Sequence, residues 1–384
     1  MNQSFSDRYV MLIAGEASGD LHGANVVKAL KKKTGLKFIG IGSKALRKEG
    51  VRIVMDSHEL SVVGITEVFS KLPHILKGIR TAKKAISQFR PDLLILVDFP
   101  DFNLFIAGIA KRMGIPILYY ISPQVWAWRS GRVKKIRRLV DHMAVILPFE
   151  ADFYRKHGVS ATFVGHPLLD TVRPLSQAIF EKNISGPPVL GLLPGSRDKE
   201  IFNHLPVMLD AASRLKVHFP DLKVLVSIAS FLDRRFVEEI IEKYQGSLKV
   251  ELVEGGAANT FNQSTVLVAV SGTVTLEAAL AGIPMVIVYR VSPLSYRLGK
   301  ALIRVKYISL VNLIARRELL PELIQEKATS ENIFLAVKNM LDNPGQLALL
   351  NKQLQWMRNA FGGPGASDRV ADIALDMIKS KKLC

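Results

Sequence analysis

The segment Val266–Val288, VLVAVSGTVTLEAALAGIPMVIV, is apolar enough to suggest a membrane span, and its interruptions decide against one. Ser271-Gly272-Thr273 breaks the first apolar run and Gly282-Ile283-Pro284 the second. The pieces read as buried strand, tight turn, helix, turn and buried strand. Glu277 is the only charge in the segment and falls in the first or second turn of that helix. A small, hydroxyl-bearing turn feeding a helix N-terminus suits an anion, because the first amides lack intrahelical partners and the dipole favours negative charge. Ser and Thr also cap helices that bind nothing, so the turn alone leaves both readings open.

Strand patterns alternate with helix patterns along the whole chain, which predicts α/β architecture with parallel sheets. The first series of strands is Tyr9–Ala14, Lys37–Ile41, Leu93–Val97, Ile117–Tyr120 and Met143–Leu147. The second is Val189–Leu193, Val224–Ser227, Leu248–Val253, Val266–Val270 and Met285–Tyr289. Asp170–Pro188, with Pro174, Pro187 and Pro188, reads as a linker. Two Rossmann-like domains are therefore expected, residues 1–170 and 171–365. In the tail 366–384, Val370, Ile373, Ala374 and Met377 give Ser367–Lys379 helical spacing.

Charge narrows the function. Of the net +18, residues 1–165 carry 26 Lys/Arg against 13 Asp/Glu, and the rest of the chain 26 against 21. An excess confined to the first half points to an anionic partner: nucleic acid, an anionic membrane surface or a phosphorylated substrate. Cys384 is the only cysteine, which excludes a disulfide framework and fits a reducing cytoplasm. The opening residues do not read as a signal peptide, and no run of about 20 apolar residues occurs.

Two turns of the second half share one chemistry. Gly195-Ser196-Arg197 follows the strand Val189–Leu193, and Ser271-Gly272-Thr273 follows Val266–Val270. Gly195 lets backbone approach a ligand, Ser196 can donate, and the Arg197 guanidinium forms a planar fork suited to phosphate. In a doubly wound sheet, turns at the carboxyl ends of strands converge on one crevice, so the pair could hold a diphosphate. Neither is a Walker A loop, and no GxGxxG follows a strand, which disfavours kinase, ATPase and NAD-dependent functions. Glu277 is placed to accept ribose hydroxyls, or is a surface carboxylate. Asn312, polar amid apolar neighbours, is a ligand contact or a satisfied loop amide.

The first half offers LLILVDFPDFN, in which a buried strand ends at Asp98, followed by Asp101 and Asn103. A general base belongs at such a place, held by a rigid strand and partly desolvated. Asp101 could equally cap the next helix. The turn Gly15-Glu16-Ala17-Ser18-Gly19-Asp20 ends the first strand on the same side of the sheet, where Glu16 and Asp20 would suit sugar hydroxyls better than phosphate. His22 and His166 have no partners at metal-ligand spacing, so no metal site is expected. In Ser61–Arg80, residues Val62, Ile65, Val68, Phe69, Leu72 and Leu76 supply an apolar face flanked by Lys71, Lys77 and Arg80. Such a segment lies in a membrane interface, lines an acyl-chain groove, or simply faces the core. The cluster Arg129, Arg132, Lys134, Lys135, Arg137 and Arg138 follows Trp126 and Trp128, a combination suited to lipid headgroups or single-stranded nucleic acid.

The ordered set GEASGD (15–20), ELSVVGITEV (59–68), DFPDFN (98–103), YYISPQVWAWR (119–129), LPFE (147–150), GHPLLD (165–170), LPGSR (193–197), SGTVTLE (271–277) and PELIQ (321–325) closely resembles the lipid-A-disaccharide synthase family over nearly the whole chain. The resemblance implies an inverting glycosyltransferase of GT-B type, with two Rossmann-like domains facing a cleft and a C-terminal helix returning to the first. It implies UDP-2,3-diacylglucosamine as donor, 2,3-diacylglucosamine 1-phosphate as acceptor, and a β-1′,6-linked disaccharide 1-phosphate as product, with no metal or cofactor. It implies a peripheral protein on the cytoplasmic face of the inner membrane, and it permits a homodimer. Carried onto this sequence, Asp98 is the base with Asp101 and Glu16 as rivals. Gly195, Ser196, Arg197, Ser271, Gly272, Thr273, Glu277, Asn312 and Gln325 contact UDP.

Overall fold

The structure, a computed structural model, describes residues 7–60, 72–127, 131–229, 232–244, 246, 248–292, 296 and 305–380, with Leu72 by its backbone alone. Contacts divide the chain into two compact units: Met1–Asp170 with Phe361–Cys384, and Thr171–Ala360. Val62, Ile65, Val68 and Phe69, and the Leu72 side chain, lie outside the described residues, as do Trp128 and Arg129.

In the first unit the strands are β1 (Tyr9–Ala14), β2 (Lys37–Gly42), β3 (Arg52–Asp56), β4 (Leu93–Val97), β5 (Ile117–Tyr120), β6 (His142–Val145) and β7 (Ala161–Phe163). They form a parallel sheet in the order β3-β2-β1-β4-β5-β6-β7. Its helices are α1 (Ala17–Lys33), α2 (Lys44–Lys48), α3 (Leu72–Phe89), α4 (Pro100–Arg112), α5 (Arg132–Leu139) and α6 (Glu150–Lys156). Strands β1 and β4 are apolar throughout because helices cover both sheet faces. Helices α3 to α6 pack one face, while α1 and the C-terminal helix pack the other.

The second unit repeats the plan. Strands β8 (Val189–Leu193), β9 (Lys223–Ser227), β10 (Val250–Val253), β11 (Val266–Val270), β12 (Met285–Tyr289) and β13 (Glu322–Ile324) run parallel in the order β10-β9-β8-β11-β12-β13. Helices α7 (Gln177–Ser185), α8 (Asp198–His218), α9 (Arg234–Glu242), α10 (Ala257–Phe261), α11 (Thr273–Ala281), α12 (Leu310–Ala315), α13 (Ser330–Leu341) and α14 (Pro344–Ala360) complete it. The segment expected as a linker contains α7, capped by Ser176 and anchored by the buried Phe180.

The interrupted apolar segment folds as its breaks dictate. Val266, Leu267 and Val268 are fully buried in β11, each such side chain contributing about 1.5–3 kcal/mol. Gly282 ends α11 in the left-handed conformation at φ 86, and Pro284 leads into β12. The C-terminal helix α15 (Ala366–Ser380) buries Val370, Ala371, Ala374 and Ile378 against α1 and its core.

Candidate functional site

In each sheet the strand order reverses between two neighbours whose connections leave in opposite directions, and ligands of doubly wound sheets bind at that switch point. In the first sheet the switch is β1/β4, where Ala14 pairs with Val97. The next residues are Gly15-Glu16 on one strand and Asp98 on the other. In the second sheet it is β8/β11, where Leu193 pairs with Ala269. There the following turns are Gly195-Ser196-Arg197 and Ser271-Gly272-Thr273. Each unit thus brings its two motif turns together.

The three candidate acids of the first unit differ. Asp98 is half-buried, and desolvation together with the nearby Glu16 raises its pKa from 3.8 to about 6, against the lowering effect of the Phe99 amide. Glu16 is exposed and sits at the N-cap of α1. Asp101 is exposed in the first turn of α4 and pairs with Arg132. Asp98 and Phe99 adopt φ 47 and φ 50, left-handed conformations that cost a non-glycine residue roughly 1–2 kcal/mol each. Asp20 does not line the crevice as expected. It is buried, and its carboxylate accepts the Ser43 and Ala45 amides at 2.6 and 2.7 Å, capping α2.

A loop beside Asp98 is tied down by residues whose roles the sequence did not disclose. Ile121 takes φ 60, strained for a β-branched residue, directly after Tyr120, whose carbonyl accepts the Asp98 amide at 3.1 Å. Glu150 of the LPFE motif is 1 % exposed, and its carboxylate accepts Trp126 Nε1 at 3.0 Å and the Ile146 and Leu147 amides at 3.2 and 3.0 Å. Burial raises its pKa to about 7 despite these donors. Glu150→Ala leaves three donors unpaired, the Leu147 amide buried and those of Trp126 and Ile146 half-buried, and is expected to lower stability by about 2–4 kcal/mol, read as a fall in melting temperature. The cue in the sequence was a glutamate and a tryptophan in two separate motifs, which nothing local connects.

In the second unit, Gly195 takes φ 119, and a Cβ there would meet Glu200 at 2.5 Å. Ser196 donates its amide to Glu200 Oε2 at 2.8 Å, and Arg197, largely exposed at the N-cap of α8, lies 3.4 Å from Glu200 Oε1. At the other turn the Ser271 amide is spent on the Val288 carbonyl at 3.0 Å, so it is not available to an anion. Among the described residues the exposed Gly272 and Thr273 amides have no hydrogen-bond partner, leaving the N-terminus of α11 open. One turn on, Glu277 is half-buried, its pKa raised by desolvation, with no ion-pair partner among the described residues.

Two residues expected to contact the ligand bond within their own unit. Asn312 is fully buried: Nδ2 donates to Leu320 O at 2.7 Å and Glu322 Oε1 at 2.8 Å, while Oδ1 accepts the Leu319 and Leu320 amides. Gln325 pairs with both backbone groups of Val291, at 2.7 and 3.0 Å. Both amides hold the chain around β12 and β13. His204, which no sequence motif marks, joins them. Its Nε2 accepts the Arg290 amide at 2.9 Å, so Nδ1 donates to Glu200 O at 2.7 Å, and burial lowers its pKa and keeps it neutral. Among the described residues no group of three His, Cys, Asp or Glu side chains could hold a metal ion.

Paired parallel sheets of this kind define the GT-B class. The fold is shared with the glycotransferase of kitacinnamycin (TM-score 0.64, 16% identity, 96% of this chain and 98% of the other). It is shared equally with MnaA of S. aureus, solved as a co-structure with UDP (TM-score 0.62, 18% identity, 97% and 98%). The chain belongs to the lipid-A-disaccharide synthetase family, whose sequence profile matches residues 10–367. The lipid-A-disaccharide synthase of Geobacter metallireducens is 45% identical over 381 residues, 98% of this chain and 99% of the relative.

Proposed function

We propose that the second unit holds a UDP-linked diacylglucosamine and the first unit activates the acceptor, 2,3-diacylglucosamine 1-phosphate. The observation that carries this reading is the placement of Asp98, a half-buried carboxylate of raised pKa at the β1/β4 switch point. Asp98 takes the proton of the acceptor 6-hydroxyl as that oxygen attacks the anomeric carbon. The bond to UDP breaks on the opposite side, so configuration inverts and a β-1′,6 linkage forms. The diphosphate leaves with its charge held by Arg197, Ser196 and the open amides of Gly272 and Thr273, and needs no general acid. Glu277, lacking a protein partner among the described residues, accepts ribose hydroxyls.

The carboxylate of Glu200 already occupies the Ser196 amide, so a phosphate must displace it. Glu200→Gln removes like-charge repulsion of about 1 kcal/mol and is expected to tighten UDP about fivefold by calorimetry. Weaker binding would mean that Glu200 shapes the turn instead.

The acceptor and the membrane belong to the helical layer α3–α4–α5, whose members pack side by side. On this layer Leu76 and Phe105 are 45% and 49% exposed, and Arg80, Lys83, Lys84, Lys134, Lys135, Arg137 and Arg138 face solvent. Ile79 of α3 packs on the core. A basic surface carrying exposed apolar side chains suits the anionic inner leaflet and an anionic lipid acceptor. Among the described residues no helix is long and apolar enough to cross a membrane. Incubation with each diacyl sugar alone and with both together tests the function. UDP release only from the pair supports it, and release from the donor alone overturns it in favour of hydrolysis.

A further inference from the structure

We propose that Asn103 and Tyr119 are positioning residues that aim the Asp98 carboxylate by jointly clamping the Asp98 carbonyl. This rests on the reading of Asp98 as the base. Asp98 and Phe99 are consecutive left-handed residues without being glycine, an arrangement that persists only where its surroundings over-determine it. Those surroundings converge on one oxygen. Asn103 Nδ2 donates to Asp98 O at 2.6 Å, and Tyr119 Oη, from the adjacent strand β5, donates to the same oxygen at 2.6 Å. Asn103 Nδ2 also reaches Val97 O at 3.2 Å, and the Asn103 amide bonds Phe99 O at 3.0 Å.

Both residues are fully buried, and Asn103 Oδ1 has no hydrogen-bond partner among the described residues. A buried acceptor left unpaired is costly, so donation by the amide to the strand end is what this side chain is kept for. From the other side the Phe99 ring lies against Gly15, where a Cβ would stand 2.1 Å from the ring. Three separate motifs therefore meet at the Asp98–Phe99 pair: DFPDFN and YYISPQ each donate to the Asp98 carbonyl, and GEASGD places Gly15 against the Phe99 ring. Rotating that peptide swings the Asp98 side chain, and a misplacement of about 1 Å can cost about 100-fold in rate. The groups that set the electrostatics here are Glu16 from the turn after β1, Tyr119 from β5 and the Arg132 guanidinium of α5, which pairs with Asp101 of α4. Burial holds the Tyr119 hydroxyl far above its ordinary range, so it stays protonated and donates.

The test uses the full chain with both diacyl sugars, comparing Tyr119→Phe and Asn103→Ala with the parent protein. A drop in kcat of about tenfold or more is expected, with donor KM and UDP affinity within about twofold. The acid limb of the kcat–pH profile is expected to move by about half a pH unit, a change that lost stability alone does not produce. Tyr119→Phe removes a single oxygen and carries the test if Asn103→Ala fails to fold. Unchanged kcat and an unmoved limb in folded Tyr119→Phe, with Asp98→Asn inactive, would overturn the clamp and leave the base in place. Normal turnover in Asp98→Asn would instead sink the base, and the clamp with it.

Discussion

Asp98→Asn is expected to lower kcat about a thousandfold, within the range that a positioned general base supplies, while UDP affinity and the melting temperature stay close to those of the parent protein. The amide has the size of the carboxylate but cannot take the acceptor proton. The pH dependence follows from the same group. Burial and Glu16 hold Asp98 at about 6, and a base works unprotonated, so turnover is present above pH 6 and falls about tenfold per pH unit below it. Glu16→Gln removes the charge that raises Asp98, so the acid limb moves to lower pH while turnover persists. Collapse of turnover in Glu16→Gln would make Glu16 the base. The effect on stability has the opposite sign. Between 3.8 and about 6 the folded protein retains a proton that the unfolded chain has released, so this group's contribution to stability is fully present below that window and is lost as pH rises through it.

The second large effect is on the leaving group. Arg197→Ala is expected to remove about 2–4 kcal/mol of transition-state stabilisation, a fall in kcat/KM of about 30- to 1,000-fold. Arg197 stands at the start of α8, largely exposed and paired only loosely with Glu200 at 3.4 Å, so its removal leaves no buried partner stranded. The loss is therefore expected in catalysis and UDP affinity rather than in melting temperature. Arg197→Lys restores charge without the planar fork and is expected to recover only part of the rate. A melting temperature that falls together with activity would show that Arg197 shapes the turn instead of holding the diphosphate.

What the sequence disclosed follows from where each strand lies. Of the interior strands, β1, β4, β5, β8, β11 and β12 are buried along nearly their whole length, so each is an uninterrupted apolar run found at its expected bounds. The three strands the sequence did not show, β3, β7 and β13, are all sheet edges. An edge strand needs apolar residues on less of its surface, and Ala161–Phe163 and Glu322–Ile324 carry no fully buried residue at all. The site divides in the same way. The placement of Asp98, Ser196 and Arg197 past strand ends was legible because a buried strand ending in a polar residue or a glycine turn marks a strand's carboxyl end. Asp20, Asn312 and Gln325 bond distant backbone, and in a sequence such a polar residue reads like one that meets a ligand. Asp20 caps a helix that begins 24 residues later, which no local pattern reveals. Glu150 and His204 were overlooked for the same reason, since their partners belong to other motifs.

Direct displacement makes one demand on the product that a double displacement through a covalent glycosyl intermediate does not share. Transfer from the α-linked UDP donor in a single step must invert the anomeric carbon, so the new linkage has to be β. Proton NMR of the disaccharide formed from both diacyl sugars measures this directly. A β-1′,6 linkage is the expected result, in amounts matching the UDP released. An α linkage, or a glycosyl group trapped covalently on the protein, would contradict it.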